Sequence, residues 1–165
     1  MHELAASSRA AFARVPAGVA IVTTLQGEHP HGCTGMVWAE APEPPLLLTT
    51  LSRSGTTSQL ISARGAFGIS LLSSAQAPLT WQFARQEHEP GERFADCPLI
   101  TGPRHGIPLL AAALASFECE LEAVHPFGAH DIVVGRVTWA KVDSDRGTRP
   151  VIHYGGRLWQ LSTTE

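Results

Sequence analysis

The stretch PPLLLTTLSRSGTTSQLI, residues 44–61, changes within a few positions from the pattern of a strand to that of a helix. Its apolar part, LLLTTL, is a continuous run that is typical of a buried strand. From Thr56 to Arg64 the pattern is helical, and Gly65 follows at the position where a glycine commonly ends a helix. We therefore predict a buried strand that leads directly into a short helix.

The turn between this strand and this helix is rich in hydroxyl groups, with five hydroxyl side chains in the eleven positions of LSRSGTTSQLI. The T-x-x-Q pattern that begins at Thr56 matches a capping box, in which the hydroxyl binds a free N–H of the first turn. The same place offers Ser52, Ser54, the cation of Arg53 and the positive end of a helix dipole, which together favour an anion. The residues alone leave both interpretations open, a simple helix cap or a phosphate site.

The rest of the chain contains many short strand patterns and few helical ones. The run GVAIVTTL, residues 18–25, is continuous and β-branched, and the polar QGEHPHG after it is typical of a turn. Helical spacing occurs only before Pro16, in residues 56–64 and in APLTWQFARQ, and the polar HEPGERFADCP reads as a loop. Further strand patterns occur in CTGMVW, GAFGISLL, SFECELEAVHPF, HDIVVGRVTWAKV, PVIHYGG and RLWQLS. We predict a mainly β (α+β) fold, a closed or partly closed antiparallel barrel with short helices.

Composition and charge limit the class of protein. The 44% hydrophobic content is enough for one core, so we expect a single domain over residues 1–165. The net charge of -3 is spread without long runs, which argues against a nucleic acid partner. No signal-peptide pattern and no apolar run near the roughly 18 residues of a membrane span are present, so we expect no membrane association. Cys33, Cys97 and Cys119 are far apart and form no CxxC pair, which favours the reducing cytoplasm.

Two sets of side chains have both a binding and a structural interpretation. His29, His31 and Cys33 occupy alternate positions and would share one face of an extended segment, as metal ligands do. Because Pro30 and Gly32 interrupt the strand pattern and no fourth ligand is near, we expect solvated turn histidines and no metal site. The four tryptophans would suit a pocket for a ring, but we expect them in the core.

Nine segments between Phe12 and Leu161 carry recognisable motifs, which in chain order are FARVPAGVAIVTT, GCTGMVW, PPLLLTTLSRSGTTSQLI, GAFGISLL, RFAD, GIPLL, ALASFECELEAV, GAHDIVVGRV and PVIHYGGRLWQL. Taken together, they resemble the flavin reductase-like family of FMN-binding split barrels. The resemblance implies a six-stranded antiparallel split β-barrel of Greek-key type with short flanking helices. It also implies a homodimer that binds FMN, or FAD, near the subunit interface and reduces it with NADH or NADPH, with a flavin-dependent monooxygenase component as partner.

The segment GCTGMV resembles the part of the family that contacts the flavin ring and ribityl chain, largely through the backbone. The resemblance implies cofactor contacts from Cys33, Thr34, Gly35, Met36 and Val37. The family commonly has Asn or Ser where this chain has Met36 and Val37. An ordinary core strand is the alternative for this segment.

The hydroxyl cluster and a later Arg-Phe pair resemble two further parts of the family site. Ser54 and Thr57 match the phosphate segment, with Ser52 slightly upstream, so the hydroxyls are expected both to cap the helix and to bind the flavin phosphate. Arg93 and Phe94 match the RF pair, in which the cation would meet a phosphate or carboxylate and the aromatic ring would stack. The alternative for this pair is a loop ion pair with a buried anchor.

His130 lies in GAH, where the family commonly has GDH, and is the expected catalytic residue. Its imidazole would donate a hydrogen bond to the negative charge that develops on the reduced ring, and the alternative is a surface histidine. The first functional hypothesis is an NAD(P)H-dependent flavin reductase. Because Ala129 replaces an acidic residue, an FMN-binding carrier or sensor without nicotinamide turnover is the alternative. The third hypothesis is a split-barrel subunit that serves only as an interaction module.

Overall fold

Strands dominate the computed structural model of the chain, which describes residues 2–85, 91–144 and 148–161. The α-helices of this part are α1 (His2–Phe12), α2 (Thr56–Arg64) and α3 (Leu79–Ala84), and single 3₁₀ turns cover Ser74–Gln76 and Glu92–Phe94. The strands are β1 (Ala17–Gln26), β2 (His29–Pro42), β3 (Pro45–Ser52), β4 (Ala66–Leu71), β5 (Leu99–Thr101), β6 (Pro108–Leu110), β7 (Ala115–Phe127), β8 (His130–Val142), β9 (Val151–Tyr154) and β10 (Arg157–Gln160). None of these helices is long and apolar enough to cross a membrane.

Six of the strands close into an antiparallel barrel. Its strand order is β1-β2-β3-β8-β7-β4, and β4 returns to β1 through pairs such as Ile21 with Ser70. The start of β1 leaves the barrel and pairs with β9, which carries β10 on its far side. The mainly β fold with a six-stranded antiparallel barrel and short helices is therefore confirmed.

The continuous apolar run of β1 is explained by its two faces, both of which are covered. Ala20 and Val22 belong to one apolar cluster, together with residues of β3, α2, β4, β7 and β8. Val19 and Ile21 belong to a second cluster, with Phe83, Phe94 and Val151 among its members. Because successive side chains of a strand point to opposite faces, a strand that is buried on both sides reads as an unbroken hydrophobic run.

A buried carboxylate fastens the loop that follows β5. Glu118 on β7 is 0% exposed and accepts hydrogen bonds from the backbone N–H groups of Arg104 (2.7 Å), His105 (3.0 Å) and Ile107 (3.1 Å). A Cβ atom at Gly102 would lie 2.0 Å from the Glu118 carboxyl carbon, so only glycine fits there. The carboxylate thus replaces the backbone partners that this loop lacks.

Several predicted elements are confirmed and others are wrong. Helix α2 spans the predicted residues 56–64 and ends at Gly65 in the left-handed conformation (φ 73°). The expectation that Pro30 and Gly32 interrupt the strand is wrong, because β2 begins at His29 and pairs with β1 through both residues. The expectation of core tryptophans is also wrong for three of them, since Trp38, Trp81 and Trp159 are 50%, 49% and 52% exposed. The hairpin of β5 and β6 was not predicted, because each strand has only three residues.

The first half of β2 has a free edge, which explains why it tolerates a proline. Residues 29–36 pair with β1, whereas the described pairing with β3 begins only at Val37. Proline lacks an N–H and is found in sheets at such edges. One edge of residues 29–36 therefore offers backbone N–H and C=O groups to whatever lies beside it.

Candidate functional site

A cavity of about 800 Å³ lies beside this free edge of β2. Its wall is completed by the turn between β3 and α2, the N-terminus of α2, helix α3 and the 3₁₀ turn at residues 92–94. Of the residues that the sequence predicted for the site, the wall includes Cys33, Thr34, Gly35, Met36, Ser52, Ser54, Thr57, Arg93, Phe94 and His130. Segments that are distant in the sequence are thus brought together at one cavity.

Val37 is the predicted site residue that does not line the cavity. Its side chain packs against the apolar cluster that contains Ala20 and Val22, and its backbone pairs with Thr49 of β3. The free edge of β2 ends at this residue, so neither its backbone nor its side chain is presented to the cavity. The flavin contact implied for Val37 therefore stays a prediction, which the lining of this cavity does not support.

The N-terminus of α2 meets the cavity without a side-chain cap. Gly55 is the N-cap residue, with extended backbone angles (φ -81°, ψ 141°), and makes no side-chain capping bond. The predicted capping box is therefore wrong, because Thr56 is already the first helical residue. The N–H groups of a first helical turn have no partner within the helix, so they are available to an acceptor in the cavity.

Three hydroxyls surround this helix end. The Ser52 and Ser54 hydroxyl oxygens lie 3.2 Å apart, and the Thr57 hydroxyl lies 3.1 Å from Nε2 of His31. Burial, followed by the charge of Arg93, lowers the pKa of His31, so its imidazole is neutral at pH 7. Burial likewise raises the pKa of Cys33, which stays a thiol. This end of the cavity is lined by neutral hydrogen-bonding groups around a helix N-terminus.

Arg53, which the sequence offered as a cation for an anion site, does not line the cavity. Its Nε donates to Oδ1 of Asp131 over 3.2 Å, and Oδ2 of the same carboxylate accepts a bond of 2.8 Å from Ser58. The backbone N–H of Arg53 donates to the carbonyl of Ala129 over 3.0 Å. The cation is thus used to hold the turn rather than to face the cavity.

Arg93 fastens the 3₁₀ turn to the free edge of β2. Its Nη1 donates to the carbonyl of Gly32 over 2.9 Å, and its Nη2 donates to the carbonyl of Arg85. The carbonyl of Arg93 accepts from Gln82 over 2.7 Å. Within the described residues the guanidinium binds two carbonyls, which hold the 3₁₀ turn against β2.

Phe94 is an anchor beneath the cavity. It is 6% exposed and meets Phe83 edge to face, with ring centroids 4.8 Å apart. This matches the buried anchor that was the alternative to a stacking ring. Phe94 lines the cavity as part of its apolar floor.

Another part of the cavity wall consists of the β2 edge and α3. Thr34 donates its hydroxyl to the carbonyl of Thr80 over 2.7 Å, which ties the strand to the helix. A Cβ atom at Gly35 would lie 2.9 Å from Val22 Cγ2 and 3.1 Å from Thr49 Oγ1, so the strand packs closely there. The Thr80 hydroxyl is buried in the cavity wall and has no partner within the described ranges. This wall presents backbone groups and one unused hydroxyl.

Sequence reasoning missed several wall residues, namely His31, Thr80, Trp81, Phe83, Arg85 and His153. His31 was noted as a metal ligand or a turn residue, but its contact with Thr57 depends on how β2 and α2 meet. Within the described ranges no three His, Cys, Asp or Glu side chains are grouped as a metal site. His153 gives no local signal, because β9 reaches the cavity only through its pairing with β1.

Comparison with known proteins gives consistent matches over nearly the whole chain. The family model described as "Flavin reductase like domain" matches residues 12–162. A Rhodococcus protein named NADH-dependent flavin reductase is 35% identical over 158 residues, which are 93% of this chain and 84% of that protein. The NADH:FAD oxidoreductase SgcE6 of Streptomyces globisporus has a TM-score of 0.86 at 28% identity, covering 96% of this chain and 94% of that one. BorF, the flavin reductase component of a bacterial two-component tryptophan halogenase, has a TM-score of 0.86 at 28% identity, covering 97% and 99%. The chain therefore belongs to the flavin reductase-like family.

Proposed function

We propose that the protein is an NAD(P)H-dependent flavin reductase, which reduces FMN or FAD with NADH or NADPH. The observation that carries the proposal is the uncapped N-terminus of α2, which meets a cavity of about 800 Å³ among the hydroxyls of Ser52, Ser54 and Thr57. Its family relative in Rhodococcus is named an NADH-dependent flavin reductase, and SgcE6 an NADH:FAD oxidoreductase.

The residues present fit a flavin at both ends of the cavity. The ester phosphate needs donors, and the first-turn N–H groups of α2 with the hydroxyls of Ser54 and Thr57 supply them without a metal. The polar rim of the ring needs hydrogen-bond partners. The edge of β2 from Gly32 to Met36 supplies backbone groups, and Thr80 supplies an unused hydroxyl. When bound, the flavin supplies the hydride acceptor for the nicotinamide.

The protein's own residues bind and orient in this proposal. The β2 edge and α3 hold the ring side, α2 holds the phosphate, and Phe83 and Phe94 form an apolar floor that excludes water. His130, a histidine in the cavity wall, is the residue proposed to donate a hydrogen bond to the reacting ring. Its backbone pairs with that of Ser52. A contact with the phosphate is therefore the competing role.

We also propose a homodimer, as the family resemblance implies. By analogy with BorF, the flavin reductase component of a two-component halogenase, we propose that the reduced flavin is delivered to a separate component, here a flavin-dependent monooxygenase. We propose a cytoplasmic location, because all three cysteines carry free thiols. Residues 1–165 are proposed to act as one flavin-binding domain.

The decisive experiment is a nicotinamide oxidation assay with the purified protein. With FMN or FAD present, we expect NADH or NADPH to be oxidised well above the rate in buffer. No oxidation with any of these four pairs would rule out the reductase. Flavin that binds but stays oxidised in the absence of oxygen would instead support the carrier or sensor that was the alternative.

A further inference from the structure

Asp131 stands at the second position of β8, behind the cavity rather than in its wall. It is 7% exposed and is not among the residues that line the cavity. Oδ1 accepts from Arg53, which precedes the N-cap of α2, and Oδ2 accepts from Ser58, in the first turn of the helix. One carboxylate therefore holds both sides of the turn that presents the helix N-terminus.

Apart from the contact between the Ser52 and Ser54 hydroxyls, the other bonds described for this turn join backbone atoms. Gly55 donates its N–H to Ser52 over 3.0 Å, and Arg53 donates its N–H to Ala129 over 3.0 Å. These bonds fix the path of the turn but do not hold the helix start against β8. The bond from Ser58 to Asp131 provides that link, and bonds to a buried ionised acceptor are stronger than bonds between neutral groups.

We propose that Asp131 is a positioning residue for the flavin phosphate, acting through Arg53 and Ser58 without touching the ligand. This inference rests on the reductase function proposed above. By fixing the turn and the first turn of α2 together, Asp131 aims the hydroxyls of Ser54 and Thr57 and the first-turn N–H groups at one point. The acidic residue that the GAH segment lacks at Ala129 is thus present two positions later, facing α2.

Positioning and simple charge lead to opposite expectations. A carboxylate near a phosphate repels it, so loss of Asp131 would tighten FMN binding if charge were its main effect. Loss of a positioning residue weakens FMN binding, because the donors no longer converge. Arg53 balances the carboxylate, and its side chain is 49% exposed. The direction of the change therefore separates the two roles.

The test compares FMN with riboflavin, which has the same ring and ribityl chain but no phosphate. For Asp131→Ala we expect the Kd of FMN to rise roughly tenfold, while the Kd of riboflavin changes by less than about twofold. The kcat at saturating FMN should stay near that of the wild type. Asp131→Asn keeps one acceptor oxygen, so its affinity for FMN should lie between that of the wild type and that of Asp131→Ala.

A milder pair of variants covers the case in which Asp131→Ala does not fold. Ser58→Ala removes one of the two bonds, and we expect a rise of roughly threefold in the Kd of FMN alone. Ser62→Ala is the matched control, because Ser62 is an exposed serine of the same helix outside the cavity wall. This control should bind both flavins as the wild type does.

The outcomes separate this inference from the proposed function. Equal changes for FMN and riboflavin, or tighter FMN binding in Asp131→Ala, would overturn the positioning role while the active wild type remains a reductase. If Ser58→Ala had the same Kd for FMN as Ser62→Ala, the positioning role would also be overturned. A wild type that reduces no flavin would overturn the reductase, and the role of Asp131 with it.

Discussion

Nε2 of His31 lies 3.1 Å from the hydroxyl oxygen of Thr57, so a side-chain contact joins the free edge of β2 to the N-terminus of α2. This contact joins the proposed ring side of the cavity to its phosphate side. For Thr57 to donate its proton to an anion, Nε2 of His31 must carry a hydrogen and donate it to Thr57. The imidazole thus determines how the hydroxyl is used.

The stability of the protein should depend on pH through His31. Its pKa is lowered in the folded chain by burial and by Arg93, so the unfolded chain takes up the proton first. The stability that comes from the neutral imidazole is therefore present above the unfolded pKa of about 6.5 and is lost as the pH falls below it. His31→Gln should lose this part of the pH dependence. Urea unfolding of both proteins across this range measures it, and parallel curves would contradict the assignment.

Removal of the Thr57 hydroxyl should weaken binding of the phosphate alone. Thr57→Val keeps the shape of the side chain, and we expect the Kd of FMN to rise roughly five- to tenfold. Riboflavin should bind as before, and Thr57→Ser should restore most of the affinity for FMN. Flavin fluorescence titrations give these constants. A loss shared equally by the two flavins would show that Thr57 does not bind the phosphate.

Arg93 should act on stability and on the ring side of the cavity. Arg93→Ala removes the bonds to the carbonyls of Gly32 and Arg85, and we expect the free energy of unfolding to fall by about 1–3 kcal/mol. Because the β2 edge is loosened, FMN and riboflavin should lose affinity by the same factor. Arg93→Lys keeps the charge but cannot bind two carbonyls with one planar group. Its stability and its flavin affinity should lie between those of the wild type and Arg93→Ala. A loss confined to FMN would indicate a phosphate contact instead.

His130 should affect turnover more than binding if it acts on the reacting ring. For His130→Ala we expect kcat to fall by roughly tenfold or more with riboflavin as well as with FMN, because a donor to the developing charge is lost. Steady-state kinetics with both flavins separate this from the competing role. A higher KM for FMN alone, with kcat unchanged, would mean that His130 contacts the phosphate beside Ser52.

Glu118 should matter for stability and not for flavin binding. Glu118→Gln replaces one acceptor with an amide that faces a backbone N–H, and we expect a loss of about 1–3 kcal/mol in the free energy of unfolding. Since Glu118 does not line the cavity, the folded variant should bind FMN as tightly as the wild type. Chemical denaturation and a flavin titration check the two parts. An unchanged stability would contradict the role assigned to this carboxylate.

The sequence was most informative where a local pattern and the fold agree. Helix α2 and strand β8 occupy the residues that their patterns predicted, since each is bounded by strong turn residues such as Gly55, Gly65 and Gly128. The strand pattern of residues 18–25 held because β1 is buried on both faces. The identity of the family followed from the order of such segments along the chain.

Other features depend on contacts between distant segments and have no local signal. Pro30 lies within β2 because the described pairing of residues 29–36 is with β1 alone, on one edge, which depends on where β3 begins. Thr56 was expected to cap α2, but the helix starts one residue earlier than a cap at Thr56 requires. The sequence around Asp131 indicates only a strand, because its contacts with Arg53 and Ser58 form only when β8 packs beside α2.

A crystal structure of the protein with FMN tests the central claim most directly. We expect the ester phosphate to lie within hydrogen-bonding distance of the Ser54 and Thr57 hydroxyls and of the first N–H groups of α2. The ring should lie along the edge of β2 from Gly32 to Met36. A phosphate bound elsewhere, with Ser54 and Thr57 making no contact to it, would contradict the account.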